Sequence, residues 1–182
     1  MLPLSGGQSR RLRKNFASEP GKPWKGKRPM VHMRDMSDAA YKRIMNQELP
    51  DYGVTPCCDG PPLADRRIAI VTTAGLHRRD DKPFTSGLGE YRIIPAEADM
   101  NDLIMSHVST NFDRTGFQQD LNVVFPIDRL HELAADGTIA EVASFHYSFM
   151  GATPPTAQAA VAKNLSAALK ADNVNGVVLA GV

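Results

Sequence analysis

The chain has 182 residues, 42% apolar and 23% charged, with a formal net charge of +1. That size and balance fit one globular domain with its own core, and no run of eighteen apolar residues exists to span a membrane as a helix. The two cysteines, Cys57 and Cys58, are adjacent, which excludes a disulfide-stapled secreted scaffold and fits a reducing compartment.

The small net charge conceals an asymmetry. Residues 1–29 carry eight Lys and Arg against the single acid Glu19, a local +7, which leaves −6 on the remainder. A basic arm can serve nucleic acid. Basic runs are weak signals, however, and one Trp, four Tyr and seven Phe offer few stacking platforms. Residues 1–29 are therefore expected to be a basic disordered arm, too poor in apolar residues to bury a core. The start lacks the apolar stretch of a secretory signal.

Ser37 predicts a helix N-cap, and Tyr41, Ile44, Met45 and Leu49 follow near helical spacing, so a short helix is expected over 38–48 before Pro50. The Pro- and Gly-rich stretch from Pro50 to Arg66 predicts a loop. IAIVTTAG (68–75) has the β-branched character of a buried strand in a parallel sheet. The polar segment after it, to Glu90, predicts a loop, YRIIP (91–95) a second strand, and LNVVF (121–125) a third buried strand.

Pro126 suits a first helical position, with Ile127, Leu130, Leu133 and Ala134 on one face and Gly137 as the stop. VASFHYSF (142–149) reads as a fourth strand or a functional loop. Thr153 is the expected cap of a longer helix that tolerates Pro154 and Pro155 in its first turn, and GVVLAGV (176–182) closes the chain as an apolar strand. Alternation of strand and helix predicts an α/β domain over 33–182, an open, largely parallel sheet flanked by helices. Residues 68–74, 121–125 and 176–181 are expected as its neighbouring core strands.

Two polar segments concentrate chemistry just past predicted strands, where open sheets place their functional loops. The first supplies His77, Arg78, Arg79, Asp80 and Asp81, and the second His107, Asn111, Asp113, Arg114 and Asp120. His77, His107 and Asp113 are the candidate proton-transfer groups, and Arg78, Arg114 and Asn111 the candidate substrate-binding groups. Arg–Asp pairs that merely lock the loops explain the charged residues equally well. His131 reads as a surface residue, and His146 as a core histidine or a pocket wall.

No H-E-x-x-H occurs, so no metal is expected, and Gly87 and Gly89 form only half of a dinucleotide-binding fingerprint. Cys57 and Cys58 are the only thiols and hence the possible redox pair. Adjacent Cα atoms about 3.8 Å apart fall short of the usual ~4.4–6.8 Å of a comfortable disulfide.

The blocks TTAGLHRRDDKPF, YRIIP, DLIMSHVSTNFDRTGFQQDLNVVFPIDRL and FHYSFMG resemble the glycine/sarcosine/betaine/D-proline reductase selenoprotein B family, from about residue 33 to the end. The resemblance implies a cytoplasmic oxidoreductase that cleaves a C–N bond reductively, with a dithiol/disulfide couple as electron partner. It also implies a partner subunit whose pyruvoyl group binds a small amine or amino-acid substrate. The family's selenocysteine, or cysteine, follows a strand like GVVLAGV, so the resemblance places the redox residue beyond Val182. The expectation is a chain truncated before that residue, with no cofactor bound in the chain itself. Two other readings stay open: a non-catalytic binding subunit, and a metal-assisted hydrolase or lyase built on His77, Asp81, His107 and Asp113.

Overall fold

The computed structural model describes residues 36–49, 51, 53, 58–87, 89–109 and 114–182. The arm at 1–29, Cys57, Asn111 and Asp113 lie outside them. Helix α1 (Asp38–Met45) starts where expected, with the Ser37 side chain accepting from the Ala40 amide. It ends three residues early and none of its residues is buried.

Strand β1 (Arg67–Thr72) is the centre of the main sheet. It pairs in parallel with β5 (Glu141–Val142), β6 (Phe145–Phe149) and β7 (Gly176–Ala180), while β3 (Tyr91–Pro95) adds antiparallel to β6. The architecture is thus α/β with a mixed, mostly parallel sheet. Strands β5 and β6 share one side of β1 and β7 takes the other. The segment 142–149 is therefore strand rather than a functional loop, split into the end of β5 and β6 by an interruption at Ala143 and Ser144. Among the described residues no helix is long and apolar enough to cross a membrane.

Period-two alternation sends neighbouring residues of each strand to opposite faces. Ile68 and Ile70 of β1 join Ile94, Phe125, Ile127 and Leu130 in the larger core, beneath helix α3 (Ile127–Ala135). On the other face Val71, Tyr147 and Phe149 pack against Val161, Leu165 and Leu169 of helix α4 (Pro155–Ala171).

Several expectations are corrected. Residues 121–125 are not a strand: Leu121–Val123 is a single 3-10 turn. The Asp120 carboxylate accepts from both the backbone and side-chain N–H groups of Asn122, and Pro126 lacks a ladder donor. An apolar run hemmed by an Asx turn and a proline cannot enter a sheet, yet Val124 and Phe125 still reach the core. Pro126 is the N-cap of α3 rather than its first residue, and Gly137, at φ 77°, follows its C-terminus. Thr153 is buried one residue before the N-cap Pro154, with Pro155 opening α4.

The final strand is not buried on both faces either. Val177 and Leu179 of β7 are exposed, because among the described residues β7 pairs only with β1 and α4 does not cover them. The polar segment after β1 also contains a strand. Strand β2 (Leu76–Arg78) pairs antiparallel with β4 (Leu103–Met105) as a two-stranded ribbon at the carboxyl end of β1.

One polar cluster ties the amino end of the sheet to α4. The Asp172 carboxylate accepts from Arg67 Nη2 at 2.5 Å and from the Ser144 amide at 2.8 Å, and the Asp172 carbonyl accepts from Arg67 Nε at 2.6 Å. Burial alone would raise the carboxyl's pKa, but the Arg67 bond and charge outweigh it and hold the group below the usual carboxylate range. Removing one partner of a buried pair costs about 3–5 kcal/mol. With side chains still 16% and 13% exposed, Asp172→Ala is expected to cost about 2–3 kcal/mol once that range is discounted for solvent. Urea unfolding at pH 7 checks it, a loss under 1 kcal/mol being contrary.

Candidate functional site

The carboxyl ends of the parallel strands β1, β6 and β7 meet at a group of small residues. Gly75 follows β1 at φ 67°, and a side chain there would press on the His107 backbone nitrogen and Cα at 3.1 and 3.2 Å. A Cβ on Gly151, just past β6, would meet the Val182 carbonyl at 2.9 Å, the Thr73 carbonyl at 3.0 Å and His107 Nε2 at 3.1 Å. Both positions therefore require glycine for close approach. The Val182 amide donates to Thr73 Oγ1 at 2.9 Å, and the Gly151 amide to the Thr73 carbonyl at 2.8 Å. The end of β7, the turn after β6 and His107 are held together.

His107 is buried, at 5% exposure, and its Nδ1 accepts from the Ser109 amide at 3.2 Å. In the neutral ring that acceptor role places the proton on Nε2, the nitrogen beside Gly151. Burial, then the positive charge of Arg114, push the imidazole's pKa below its ordinary value, so the neutral form with Nε2–H dominates at neutral pH.

His77 lies on β2, not in a loop, and has the opposite tautomer. Its Nδ1 is 2.7 Å from the Arg78 carbonyl, which can only accept, so Nδ1 carries the proton. The bare Nε2 then accepts from Ser106 Oγ at 2.6 Å. Ser106 precedes His107, and its amide donates to the Gly75 carbonyl at 2.9 Å, so ribbon pairing brings His77 to the same strand end.

The candidate arginines are engaged locally. Arg78 pairs with Asp80 at 2.9 Å on the surface, and Arg114 Nη2 donates to the His107 and Ser109 carbonyls, both at 2.6 Å. Arg79 faces Asp102 at 3.7 Å, and Arg92 bridges Glu90 at 2.9 Å and Asp81 at 3.6 Å. Asp120 caps the 3-10 turn. Cys58 is exposed and unbridged.

His131 is on the surface of α3, and His146 is a core histidine whose Nδ1 accepts from the Ile70 amide at 3.0 Å. A shallow cleft of about 450 Å³ lies at the opposite, amino end of β6, lined by Pro95, Glu97, His131 and Phe145 among others. Neither His77 nor His107 lines it. Among the described residues no three His, Cys, Asp or Glu side chains come together as a metal site.

Ser106, Thr73 and Gly151 were not singled out from sequence. A serine beside a candidate histidine and a glycine just past a predicted strand were the available signals.

The glycine/sarcosine/betaine reductase selenoprotein B family model matches residues 36–182. The chain belongs to this family. It is 39% identical over 90 residues to D-proline reductase subunit gamma of Acetoanaerobium sticklandii, covering 49% of this chain and 36% of that protein. It is 28% identical over 123 residues to the betaine reductase complex component B subunit beta of Peptoclostridium acidaminophilum, covering 64% of this chain and 28% of the relative. With the glycine reductase complex component B subunit gamma of Carboxydothermus hydrogenoformans it shares 30% over 126 residues, again 64% and 28%. The matched segment thus spans about a third of each relative's length or less. No solved structure matches the chain significantly.

Proposed function

We propose that this selenoprotein B family chain serves a reductase complex in which a C–N bond of a small amine or amino acid is cleaved, with a dithiol/disulfide couple as electron partner. The observation that supports this reading is the convergence at Gly151. The Val182 and Thr73 carbonyls and His107 Nε2 all lie within 3.1 Å of one point. A residue joined to Val182 enters beside that point, and the family resemblance puts the selenocysteine or cysteine there.

That residue, together with the couple, supplies the electrons. The partner's pyruvoyl group supplies a carbonyl for the substrate amine. The chain's own residues position and protonate. His107 presents Nε2–H to the entering anionic chalcogen or to the departing nitrogen, a role for which a neutral imidazole is suited. Asp113 completes the proposed proton-transfer set with His107 and His77, the last acting through the Ser106 hydroxyl that occupies its Nε2. Arg78 exchanges its surface partner Asp80 for a substrate carboxylate, and Arg114 and Asn111 complete the proposed substrate-binding set. In this reading the complex works in the cytoplasm.

Extending the reading frame past Val182 with selenocysteine or cysteine should switch on dithiol-dependent amine release when the pyruvoyl subunit is added. Equal turnover by the 182-residue form, abolished by Cys57→Ser or Cys58→Ser, would contradict this and place the redox centre in the adjacent cysteines.

A further inference from the structure

The hydrogen bonds around His77 define a chemistry that needs neither a selenium nor a thiol. Three elements of an activated nucleophile are in place: a hydroxyl, a base within hydrogen-bond reach, and a third group that orients the base. Ser106 Oγ is the hydroxyl, and His77 Nε2, 2.6 Å away, is the base. The Arg78 carbonyl, 2.7 Å from Nδ1, is the orienting group. Because a carbonyl cannot donate, it fixes the neutral tautomer that leaves Nε2 free to take the hydroxyl proton.

The base is rigidly held. His77 is 2% exposed, sits on a paired strand, and meets Phe84 edge-on with ring centroids 6.5 Å apart. Ser106, by contrast, is only half-buried. The Arg114 guanidinium, bonded to the carbonyls of His107 and Ser109, puts a positive charge beside the residues that follow Ser106.

We infer that Ser106 and His77, the pair that the reductase reading uses only to move a proton, also form a nucleophilic serine site that accepts small acyl electrophiles, esters or thioesters. Ser106 Oγ bonds to the acyl carbon as its proton passes to His77 Nε2. His77 returns that proton to the leaving alkoxide or thiolate as the old bond breaks. Water then releases the acid by the reverse sequence, with no net oxidation or reduction.

A fluorophosphonate probe tests this on the 182-residue chain. The Ser106 oxygen forms a bond to phosphorus, fluoride leaves, and the proton goes to His77. Peptide mass spectrometry should find one adduct, on Ser106, in the native chain and none after unfolding in urea, where this serine is an ordinary one. His77→Gln should slow labelling at least tenfold, and Ser106→Ala should abolish it. No adduct at Ser106 in the native chain overturns the site, as does equal labelling in urea. If His77→Gln folds, an unchanged rate overturns the role of the base.

Discussion

Between pH 7 and pH 4 the folded chain is expected to lose about 3 kcal/mol of stability through one residue, His146. Its imidazole is fully buried on β6 between the sheet and Phe125, and Nδ1 is used by the Ile70 amide. Among the described residues Nε2 has no hydrogen-bond partner. Burial, then the charge of His131, push its pKa down to about 4, against a weaker pull from Asp172.

Above the ordinary value near 6.5 the ring is neutral both folded and unfolded, and the stability is fully present. As pH falls below that value the unfolded chain takes up a proton that the folded chain refuses, so stability drops by about 1.4 kcal/mol per pH unit until the folded pKa is reached. His107, lowered in the same direction, adds to the same window. Urea titrations at half-unit intervals check the slope. His146→Gln, which removes the titration, should flatten it, and a profile already flat in the wild type would be contrary.

Phe125→Ala is expected to cost about 3–5 kcal/mol, as for other buried aromatics truncated in a core. Phe125 is fully buried and stands edge-on to His146, ring centroids 5.5 Å apart. Truncation removes that contact and leaves a space beside the imidazole. Water entering there would relieve the desolvation that depresses the imidazole, so the acid-sensitive window should narrow in this variant. Unfolding at two pH values separates the effects: the drop from pH 7 to pH 4 should be smaller than in the wild type, although the variant is weaker at both. A loss below 1 kcal/mol would mean that residue 125 is not the core anchor described.

The fold was legible wherever local pattern and tertiary context agree. IAIV, YRIIP and the β-branched end of the chain became strands, and Ser37 capped its helix. LNVVF was misread because its apolar content is a matter of burial, while its backbone is decided by Asp120 and Pro126 at its ends. Burial without a ladder looks like a strand in sequence. β7 was misread in the other direction: its composition suits a two-sided interior, but among the described residues only β1 flanks it.

The candidate site was legible in its histidines and illegible in their environment. His77 and His107 are identical as letters and opposite as tautomers, because one faces a carbonyl and the other an amide. Both of those partners are backbone groups, which no side-chain pattern reports. Ser106 and Gly151 matter through distances that only the pairing of β2 with β4 and of β6 with β1 creates.

In the proposed reductase role, His107 Nε2–H acts at the strand end where Val182 and Gly151 meet. The most direct test is the turnover number of His107→Leu in the frame-extended chain of the proposed complex, with a pyruvoyl subunit added, under saturating dithiol. Loss of one preorganised donor predicts a fall of about 100-fold or more, in a variant whose thermal midpoint confirms that it is folded. A folded His107→Leu variant with the wild-type turnover number would contradict the account.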